Sequence, residues 1–509
     1  MKSLLARAFL FCGLSAAVWG SSEIPVLSLT PGQRADVHKY ARVELARRCA
    51  EEGDVLGWGK ALMPDKFRLP FCELHQYLVE TRDAPLTSTE APRGHGKTVM
   101  GCFLLPLYQA LVESNERHFL QVQSNADKAL TVNRSIKSEL EQNELLRLLY
   151  GSQVGERWTD ACFVLKNGVV FSAEGYGASI RGLNYRNRRP TDVILDDFYE
   201  VSEDVHNPAG TIKKNDWYFG TLYPIMAQDR KTCMHIRGTA CNREDLFFRL
   251  KDDPKVLSKT FKAITDWDKK EVLWKGLKTY EDFMDMQRRM GSLIFAREFQ
   301  NERRDDSSSI VKQSWLYPED GSPSWEYDPA ELRFNENLLY AGAVVTLDPS
   351  IGANKKTSDY SAYARVIVAQ PTDGSLARFY IEELVNAHHS FQQRIDQVKE
   401  LMAHRPVERP VTKVRVESVS GFRDLGDRIA ASVSVPCDLV DHVPNKLTNL
   451  EKSSAVFENR RIFLNRNIEA ALKTELTNQL CQNTPRHDDL RDAVLLALTE
   501  DSASWSSWV

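Results

Sequence analysis

Apolar runs that predict β-strands alternate with helix-like periodicity across the first half of the chain. Strand-like runs occur at 119–123, 163–165, 169–171 and 193–195, and a stretch with one-turn apolar spacing lies at 126–150. Strands that alternate with helices are typical of a parallel sheet whose two faces are covered by helices. We therefore predict an α/β domain in this part of the chain.

A second alternating pattern fills the last third of the chain. It starts with the apolar run 340–348, continues with strand-like runs at 363–368, 379–382 and 414–417, and closes with an apolar helix at 490–498. A polar stretch and segments bearing Pro and Gly separate the two patterns. The expected organisation is an N-terminal extension, a first domain, a linker, a second domain and a polar tail, at 1–30, 31–300, 301–334, 335–500 and 501–509.

The composition excludes several classes of protein. Of the 509 residues, 42% are hydrophobic and 27% are charged, values that disordered or collagen-like chains do not have. No stretch reaches the roughly 20 apolar residues of a membrane helix, so we expect no membrane association. The net charge of −4 excludes binding to nucleic acid through bulk charge but leaves open a local basic groove.

The cysteines and the first residues indicate different compartments. The nine cysteines include no C-x-x-C pair, which fits neither a disulfide framework nor a zinc site and favours a reducing compartment. Residues 1–23 combine Lys2 and Arg7 with an apolar run and small residues, as a secretory signal peptide does. The alternatives are an apolar N-terminal helix and an upstream start codon.

The stretch Ala91-Pro-Arg-Gly-His-Gly-Lys-Thr98 nearly matches a phosphate-binding loop, with alanine at the position of the first glycine. Its glycines let backbone N–H groups surround a phosphate, Lys97 neutralises phosphate oxygens, and Thr98 can ligate Mg²⁺. A chance turn is the alternative, and the run Leu86-Thr-Ser-Thr89 before the loop is unusually polar for a strand. The loop predicts a nucleotide site, and the acidic residues that such a site also needs must come from another part of the chain.

A strand that ends in two acids supplies these acidic residues. In Val193-Ile-Leu-Asp-Asp197, an apolar run carries Asp196 and Asp197 at its end. P-loop ATPases use such acids to hold Mg²⁺ and to activate water, and Asp196 is placed to hold the metal. An acid at the end of a strand is common in any α/β fold. The loop and the acidic strand therefore indicate a nucleotide site much more strongly together than either does alone.

The second domain carries acids suited to metal-assisted cleavage of phosphodiesters. That chemistry uses carboxylates from separate elements around two divalent ions roughly 4 Å apart. Asp348 and Glu417 end predicted strands, and Asp489 and Asp492 share one face of the last helix. Each acid alone could instead end a strand or cap a helix, but jointly they predict a Mg²⁺ or Mn²⁺ site. Second-rank candidates are Asp359 and Asp488.

With these motifs in place, the chain resembles the large terminase subunit of tailed bacteriophages, which pumps DNA into capsids and cuts it. The resemblance covers roughly residues 65–500. The stretches that carry it are Pro70-x4-His75-Gln76 with Pro92–Thr98, Gly175–Gly182 with Arg189–Asp197, Asp216-Trp217, Ile236–Ala240 with Glu244–Leu246, and Phe295–Glu302. The resemblance implies a P-loop NTPase domain, with a parallel sheet flanked by helices, followed by an RNase H-like nuclease domain.

The resemblance also implies roles for individual residues. Gln76 is the adenine-side residue, Arg93 a catalytic finger supplied in cis, and Thr239 a sensor. The acidic pair departs from the Asp-Glu of many such motors, so the water-activating group is Asp197 or Glu200, of which we favour Asp197. The implied ATP-binding residues are Gln76, Arg93, Gly94, Gly96, Lys97, Thr98, Asp196 and Thr239. The implied catalytic residues are Arg93, Asp197, Asp348, Glu417, Asp489 and Asp492, and the metal ligands are Thr98, Asp196, Asp348, Glu417, Asp489 and Asp492.

The partners implied by the resemblance are ATP, Mg²⁺ or Mn²⁺, double-stranded DNA, a small terminase subunit, a portal protein and further copies of the chain, in the host cytoplasm. A basic cluster just before the acidic strand could face DNA or a neighbouring subunit; it consists of Arg181, Arg186, Arg188 and Arg189. Lys446 and Lys452 could contact DNA phosphates. All six could instead simply be solvated. Two alternatives stay open. One is a P-loop helicase or remodelling ATPase whose second domain only binds a partner, and the other is a secreted protein directed by residues 1–23.

Overall fold

The computed structural model describes residues 31–113, 116–228, 232–303, 309–320, 322, 324–349, 360–403, 409–418, 423–441, 446–485 and 487–498. The expected extension at 1–30, the tail at 501–509 and Asp359 lie outside these residues. The chain divides into two compact units, one running up to Phe283 and including Arg297–Arg303, the other formed by Met284–Ala296 and the chain from Arg304 onward. Among the described residues, no helix has both the length and the apolar character needed to cross a bilayer.

The first unit is built on an eight-stranded sheet in the order β3-β4-β5-β2-β6-β7-β1-β8. The strands are β1 (Leu86–Glu90), β2 (His118–Gln123), β3 (Val154–Trp158), β4 (Cys162–Leu165), β5 (Val170–Gly175), β6 (Asp192–Asp196), β7 (Cys233–Gly238) and β8 (Leu257–Thr260). A separate hairpin pairs β9 (Ile264–Asp266) with β10 (Glu271–Val272). The strands from β5 to β8 in this order are parallel and carry the nucleotide-site motifs.

The edge formed by β3, β4 and β5 is antiparallel, so the sheet is mixed rather than wholly parallel. Only a few residues connect β3 to β4 and β4 to β5, and connections this short join antiparallel neighbours because a parallel pair needs a long crossover. The parallel core matches the prediction, and the antiparallel edge adds to it.

Helices cover both faces of this sheet, and apolar side chains from sheet and helices form its two main cores. The α-helices are α1 (Pro31–Glu52), α2 (Val55–Leu62), α3 (Glu73–Glu80), α4 (Leu105–Tyr108), α5 (Ala126–Gln142), α6 (Glu144–Tyr150), α7 (Val201–Asp204), α8 (Pro208–Trp217) and α9 (Leu246–Leu250). Other helical segments are the π-helices Val99–Leu104, Gln109–Glu113 and Tyr218–Leu222 and the 3₁₀-helix Tyr223–Gln228. Next along the chain come α10 (Tyr280–Met290) and α11 (Ser292–Gln300).

The second unit contains a seven-stranded mixed sheet in the order β11-β17-β14-β13-β12-β15-β16. Its strands are β11 (Glu326–Tyr327), β12 (Leu338–Asp348), β13 (Ser361–Pro371), β14 (Arg378–Ala387), β15 (Lys413–Ser418), β16 (Cys437–Asp441) and β17 (Ile462–Asn465). The strands β12, β13 and β14 form an antiparallel meander, and β15 pairs parallel to β12. This pairing places the ends of β12 and β15 at the same edge of the sheet.

Six helices flank this sheet within the described residues: α12 (Gln313–Leu316), α13 (Phe391–Ala403), α14 (Arg423–Ser432), α15 (Lys446–Glu458), α16 (Ala470–Cys481) and α17 (Asp489–Ala497). Helix α17 packs on β12 and β13, where the buried Thr346 hydroxyl donates to the carbonyl of Ala493 at 2.7 Å. The expected linker at 301–334 is partly built into this unit. Ile310, Val311 and Trp325 belong to its core, and β11 pairs with β17.

Candidate functional sites

The phosphate-binding loop follows β1 directly and leads into the first π-helix. Gly94 and Gly96 both adopt left-handed backbone conformations, with φ of 73° and 76°. Side chains disfavour this region, which is why glycine stands at both turns of the loop. The loop therefore has the curled backbone that the sequence motif predicts.

His75 packs directly against this loop. Its Nε2 donates to the carbonyl of His95 at 3.0 Å, and its Nδ1 accepts from the backbone N–H of Cys72 at 3.1 Å. Burial lowers the pKa of His75, which favours the neutral tautomer that this pairing requires. Gln76, predicted as the adenine-side residue, is the next residue of α3 and is exposed. Sequence reasoning did not assign a role to His75, although the residue stands in the same motif.

The structure brings the loop and the acidic strand together. Thr98 donates from Oγ1 to Oδ2 of Asp196 at 2.7 Å. Lys97 donates from Nζ to Thr239 Oγ1 at 3.1 Å and lies 3.3 Å from Oδ1 of Asp197. These five residues come from three separate parts of the sequence, and they converge because β1, β7 and β6 are adjacent and parallel.

The carboxylate of Asp196 is buried beside the loop, and within the part of the chain that the structure describes only one of its two oxygens is hydrogen-bonded. Its side chain is almost fully buried, and its Oδ1 has no hydrogen-bond partner among the described residues. Burial and the adjacent Asp197 raise the pKa of Asp196 to about 6, against the opposing effects of Lys97 and Thr98. A buried carboxylate oxygen beside a threonine hydroxyl is a donor set that suits Mg²⁺. The residues present thus fit the metal that the motif implies.

Asp197 and Glu200, the two candidates for activating water, differ in their surroundings. Asp197 lies next to Lys97 and has a left-handed backbone, with φ of 42°, a conformation that ordinary residues rarely adopt and that is often found at functional sites. Glu200 is instead engaged by Ser124 and Lys128. Asp197 thus lies beside the lysine of the loop, whereas Glu200 is held by other side chains, and the role of Asp197 stays a prediction.

Arg93, the predicted finger, is attached to the last segment of the first unit. Its backbone N–H donates to the carbonyl of Glu298 at 2.9 Å, and its half-exposed guanidinium lies 3.6 Å from the carboxylate of Glu298. The role of Arg93 at a phosphate stays a prediction.

An arginine that sequence reasoning missed lies under the loop. Arg237 on β7 is buried beside Asp196, and its Nη1 donates to the carbonyl of Gly101 in the first π-helix at 2.8 Å. A charged residue within the buried strand Cys233–Gly238 is the feature of the sequence that could have indicated a buried role for Arg237. Arg237 ties the strand that carries Thr239 to the helix that follows the loop.

In the second unit, the adjacent parallel strands β12 and β15 bring two of the predicted acids together. Leu347 pairs with Val416, so Asp348 and Glu417 follow at the ends of neighbouring strands. Asp492 lies on the first turn of α17, and its negative charge raises the pKa of Asp348. Three of the four predicted nuclease carboxylates therefore converge.

The charge state of Asp348 reflects this crowding. Burial, a hydrogen bond with Glu417 and the negative charges of Glu417 and Asp492 raise the pKa of Asp348 well above its usual value. Two carboxylates at hydrogen-bond distance must share a proton or a cation, because both cannot stay ionised alone. The donor set is all oxygen, which fits Mg²⁺ or Mn²⁺. No group of three or more His, Cys, Asp or Glu side chains is already arranged to coordinate a metal among the residues that the structure describes.

The remaining acids of this region sit on or next to α17. Asp489 is buried on its first turn, and Asp488 precedes the helix, where its carboxylate lies 3.0 Å from Arg491. Lys446 lies 2.7 Å from Asp492 and 2.9 Å from Asp488. The structure thus places Lys446 inside the acidic group, whereas the sequence indicated a surface lysine or a DNA contact.

Comparison with known proteins gives no match by sequence and clear matches by structure. No protein-family model matches the sequence, and no curated protein does. The chain is similar to the large terminase from a thermophilic bacteriophage in one crystal form, with 12% identity and a TM-score of 0.52 over 84% of this chain and 99% of that one. The same phage terminase in complex with ATP-gamma-S matches with 11% identity and a TM-score of 0.50, over 84% of this chain and 98% of that one.

At this level of identity the likeness defines the fold. The chain is an α/β protein in which a P-loop NTPase fold is followed by an RNase H-like fold. That combination, across most of the chain, is the fold of the large terminases of tailed bacteriophages. The resemblance inferred from the sequence motifs is confirmed at the level of the fold.

Proposed function

We propose that this chain is a viral DNA-packaging motor, which hydrolyses ATP to translocate double-stranded DNA into a capsid and cleaves that DNA as a metal-dependent endonuclease. One observation carries the proposal. Each compact unit holds its own acidic site: Thr98 and Asp196 beside Lys97 in the first, and Asp348 beside Glu417 and Asp492 in the second. Two separate sites suit two separable activities on one chain.

In the first site, the loop and its surroundings suit binding and hydrolysis of ATP. The backbone N–H groups of the loop and the ammonium of Lys97 bind phosphate oxygens. When the nucleotide binds, Lys97 leaves Asp197 and contacts the phosphate instead. Thr98 and Asp196 would hold Mg²⁺, which neutralises phosphate charge. Asp197 is then free to orient the attacking water and accept its proton. Thr239, which accepts a hydrogen bond from Lys97, senses the change.

In the second site, carboxylates from three elements suit hydrolysis of the DNA backbone. Asp348, Glu417 and Asp492, with Asp489 on the same helix, would hold divalent ions that activate water and stabilise the leaving oxygen. The protein itself supplies fixed positions for these oxygens, because Asp348 and Glu417 end paired strands and α17 packs on the same sheet. This rigidity supports a catalytic site rather than a set of strand ends.

The proposed partners follow from the terminase fold. They are double-stranded DNA, a small terminase subunit, a portal protein and further copies of this chain on the portal, in the host cytoplasm. DNA contacts during translocation would be made mainly to phosphates, because a motor must accept any sequence.

The competing proposal is a P-loop helicase or remodelling ATPase whose second unit only binds a partner. A translocation assay separates the two. A motor that moves on intact duplex displaces a third strand from a DNA triplex in an ATP-dependent way and leaves the duplex paired. A helicase instead separates the strands of a fork.

The wild-type protein is expected to displace the third strand without unwinding, and Lys97→Ala is expected to do neither. Ala removes the ammonium that pairs with phosphate while leaving the loop backbone in place. Unwinding of a fork by the wild type, with no triplex displacement, would show that the helicase proposal is correct.

A further inference from the structure

Lys446 brings a positive charge into the carboxylate group of the second unit. Its Nζ lies 2.7 Å from Oδ2 of Asp492 and 2.9 Å from Oδ1 of Asp488. The positive charge of Lys446 also lowers the pKa of Asp348, whereas the neighbouring acids raise it. One ammonium therefore acts on three carboxylates, two of which are proposed metal ligands.

The position of Lys446 in its helix is unfavourable apart from these contacts. Lys446 is the first residue of α15, where the positive end of the helix dipole disfavours a cation. Its side chain is 40% exposed and thus gives up part of its hydration. The carboxylates of Asp488 and Asp492, each of which also pairs with Arg491, compensate for both effects.

We propose that Lys446 is an internal cation that balances the nuclease carboxylates when no metal is bound and competes with the divalent metal for Asp492. This inference rests on the proposed nuclease function. A metal that binds Asp492 must displace the ammonium or bind beside its charge, and both weaken metal binding. Lys446 would thereby raise the metal concentration at which the nuclease becomes competent.

The test is to measure Mn²⁺ binding by the full-length protein without nucleotide, using isothermal titration calorimetry. Lys446→Met and Lys446→Gln remove the charge and keep similar volume, so either folded variant suffices. Lys446→Arg keeps the charge. Lys452→Met is the matched control, because Lys452 is an exposed lysine on the same helix. A second readout is the rise in the midpoint of thermal unfolding that Mn²⁺ produces.

We expect both neutral variants to bind Mn²⁺ about tenfold more tightly than the wild type, because a repelling charge has left the site. Their midpoints should also rise more with Mn²⁺, while Lys446→Arg and Lys452→Met should match the wild type. Equal or weaker Mn²⁺ binding by Lys446→Met and Lys446→Gln would overturn the inference about Lys446.

Asp348→Asn separates failure of this inference from failure of the proposed function. This variant should lose the Mn²⁺ binding of the second unit if Asp348 is a ligand, whatever Lys446 does, while binding at Thr98 and Asp196 stays unchanged. If Asp348→Asn binds Mn²⁺ as the wild type does, the carboxylates are not the metal site and the nuclease proposal fails together with the inference.

Discussion

Thr98 Oγ1 donates a hydrogen bond of 2.7 Å to Asp196 Oδ2, joining two residues that lie 98 positions apart in the sequence. The contact connects the end of the phosphate-binding loop with the end of β6, across the intervening strand β7. Because both oxygens are already adjacent, a Mg²⁺ ion would find its two protein ligands in place. The proposed nucleotide site is thus built by the sheet itself.

The buried carboxylate of Asp196 should lower the stability of the protein at neutral pH. Its pKa is raised to about 6, above the ordinary value of 3.8, so the ionised form is disfavoured in the folded state. Its protonation therefore stabilises the fold, and this stabilisation is lost as the pH rises through about 6. We expect Asp196→Asn to abolish ATP hydrolysis and to raise the free energy of unfolding at pH 8 by about 1–3 kcal/mol.

The pH dependence provides the control for this prediction. Urea unfolding of both proteins between pH 8 and pH 5 should show the advantage of Asp196→Asn shrinking as the pH falls through 6, because wild-type Asp196 then becomes neutral as well. An advantage that is the same at pH 8 and pH 5 would contradict a buried, ionised Asp196.

Two glycines of the loop make a matched pair for testing its packing. A Cβ at Gly94 would meet no atom within 4 Å, whereas a Cβ at Gly96 would lie 3.1 Å from Nε2 of His75. Both positions have positive φ, so either alanine costs about 1 kcal/mol in backbone strain. Gly96→Ala should also displace His75 from the carbonyl of His95.

We therefore expect Gly96→Ala to lower the unfolding midpoint and the affinity for ATP more than Gly94→Ala does. Thermal unfolding and titration with a fluorescent ATP analogue measure the two effects. Equal losses in both variants would show that His75 does not support the loop.

A buried ion-pair cluster next to the loop should be important for stability. Arg303 donates from Nη2 to Oδ1 of Asp245 at 2.8 Å and also pairs with Glu90, the last residue of β1. All three side chains are buried. Arg303→Met would leave two buried acids without their cation, and we expect it to lower the free energy of unfolding by about 3–5 kcal/mol.

Arg186→Met is the control for Arg303→Met. Arg186 pairs with Glu156 at the surface, where ion pairs contribute little, so its loss should change stability only slightly. Chemical denaturation compares the two variants with the wild type. A small, equal effect of both substitutions would mean that the buried cluster does not stabilise the first unit.

The sequence predicted those parts of the sites whose signal is local. The glycines of the loop and the acids at the ends of apolar strands are visible in short windows, and the structure brings Lys97, Thr98, Asp196 and Thr239 together. The polar strand β1 was the weakest element of the pattern. It forms because Thr87 bonds His235 and Glu90 pairs with Arg303, partners that lie far away in the sequence.

Lys446 and His75 show what the sequence could not reveal. A lysine after a polar stretch resembles any solvated lysine, and only the folded chain places it 2.7 Å from Asp492. His75 stands next to Gln76 in one motif, and only the orientation of α3 determines which of the two faces the loop. Both depend on contacts between distant segments, which residue patterns do not encode.

Two independent active sites on one chain should be separable by mutation, and plasmid cleavage measures that separation. The wild type, Lys97→Ala and Asp348→Asn are incubated with supercoiled plasmid and Mn²⁺, and ATP hydrolysis is measured in parallel. We predict that Lys97→Ala cuts DNA without hydrolysing ATP and that Asp348→Asn hydrolyses ATP without cutting. A wild type that hydrolyses ATP but leaves the plasmid intact with both Mn²⁺ and Mg²⁺ would contradict a nuclease site in the second unit.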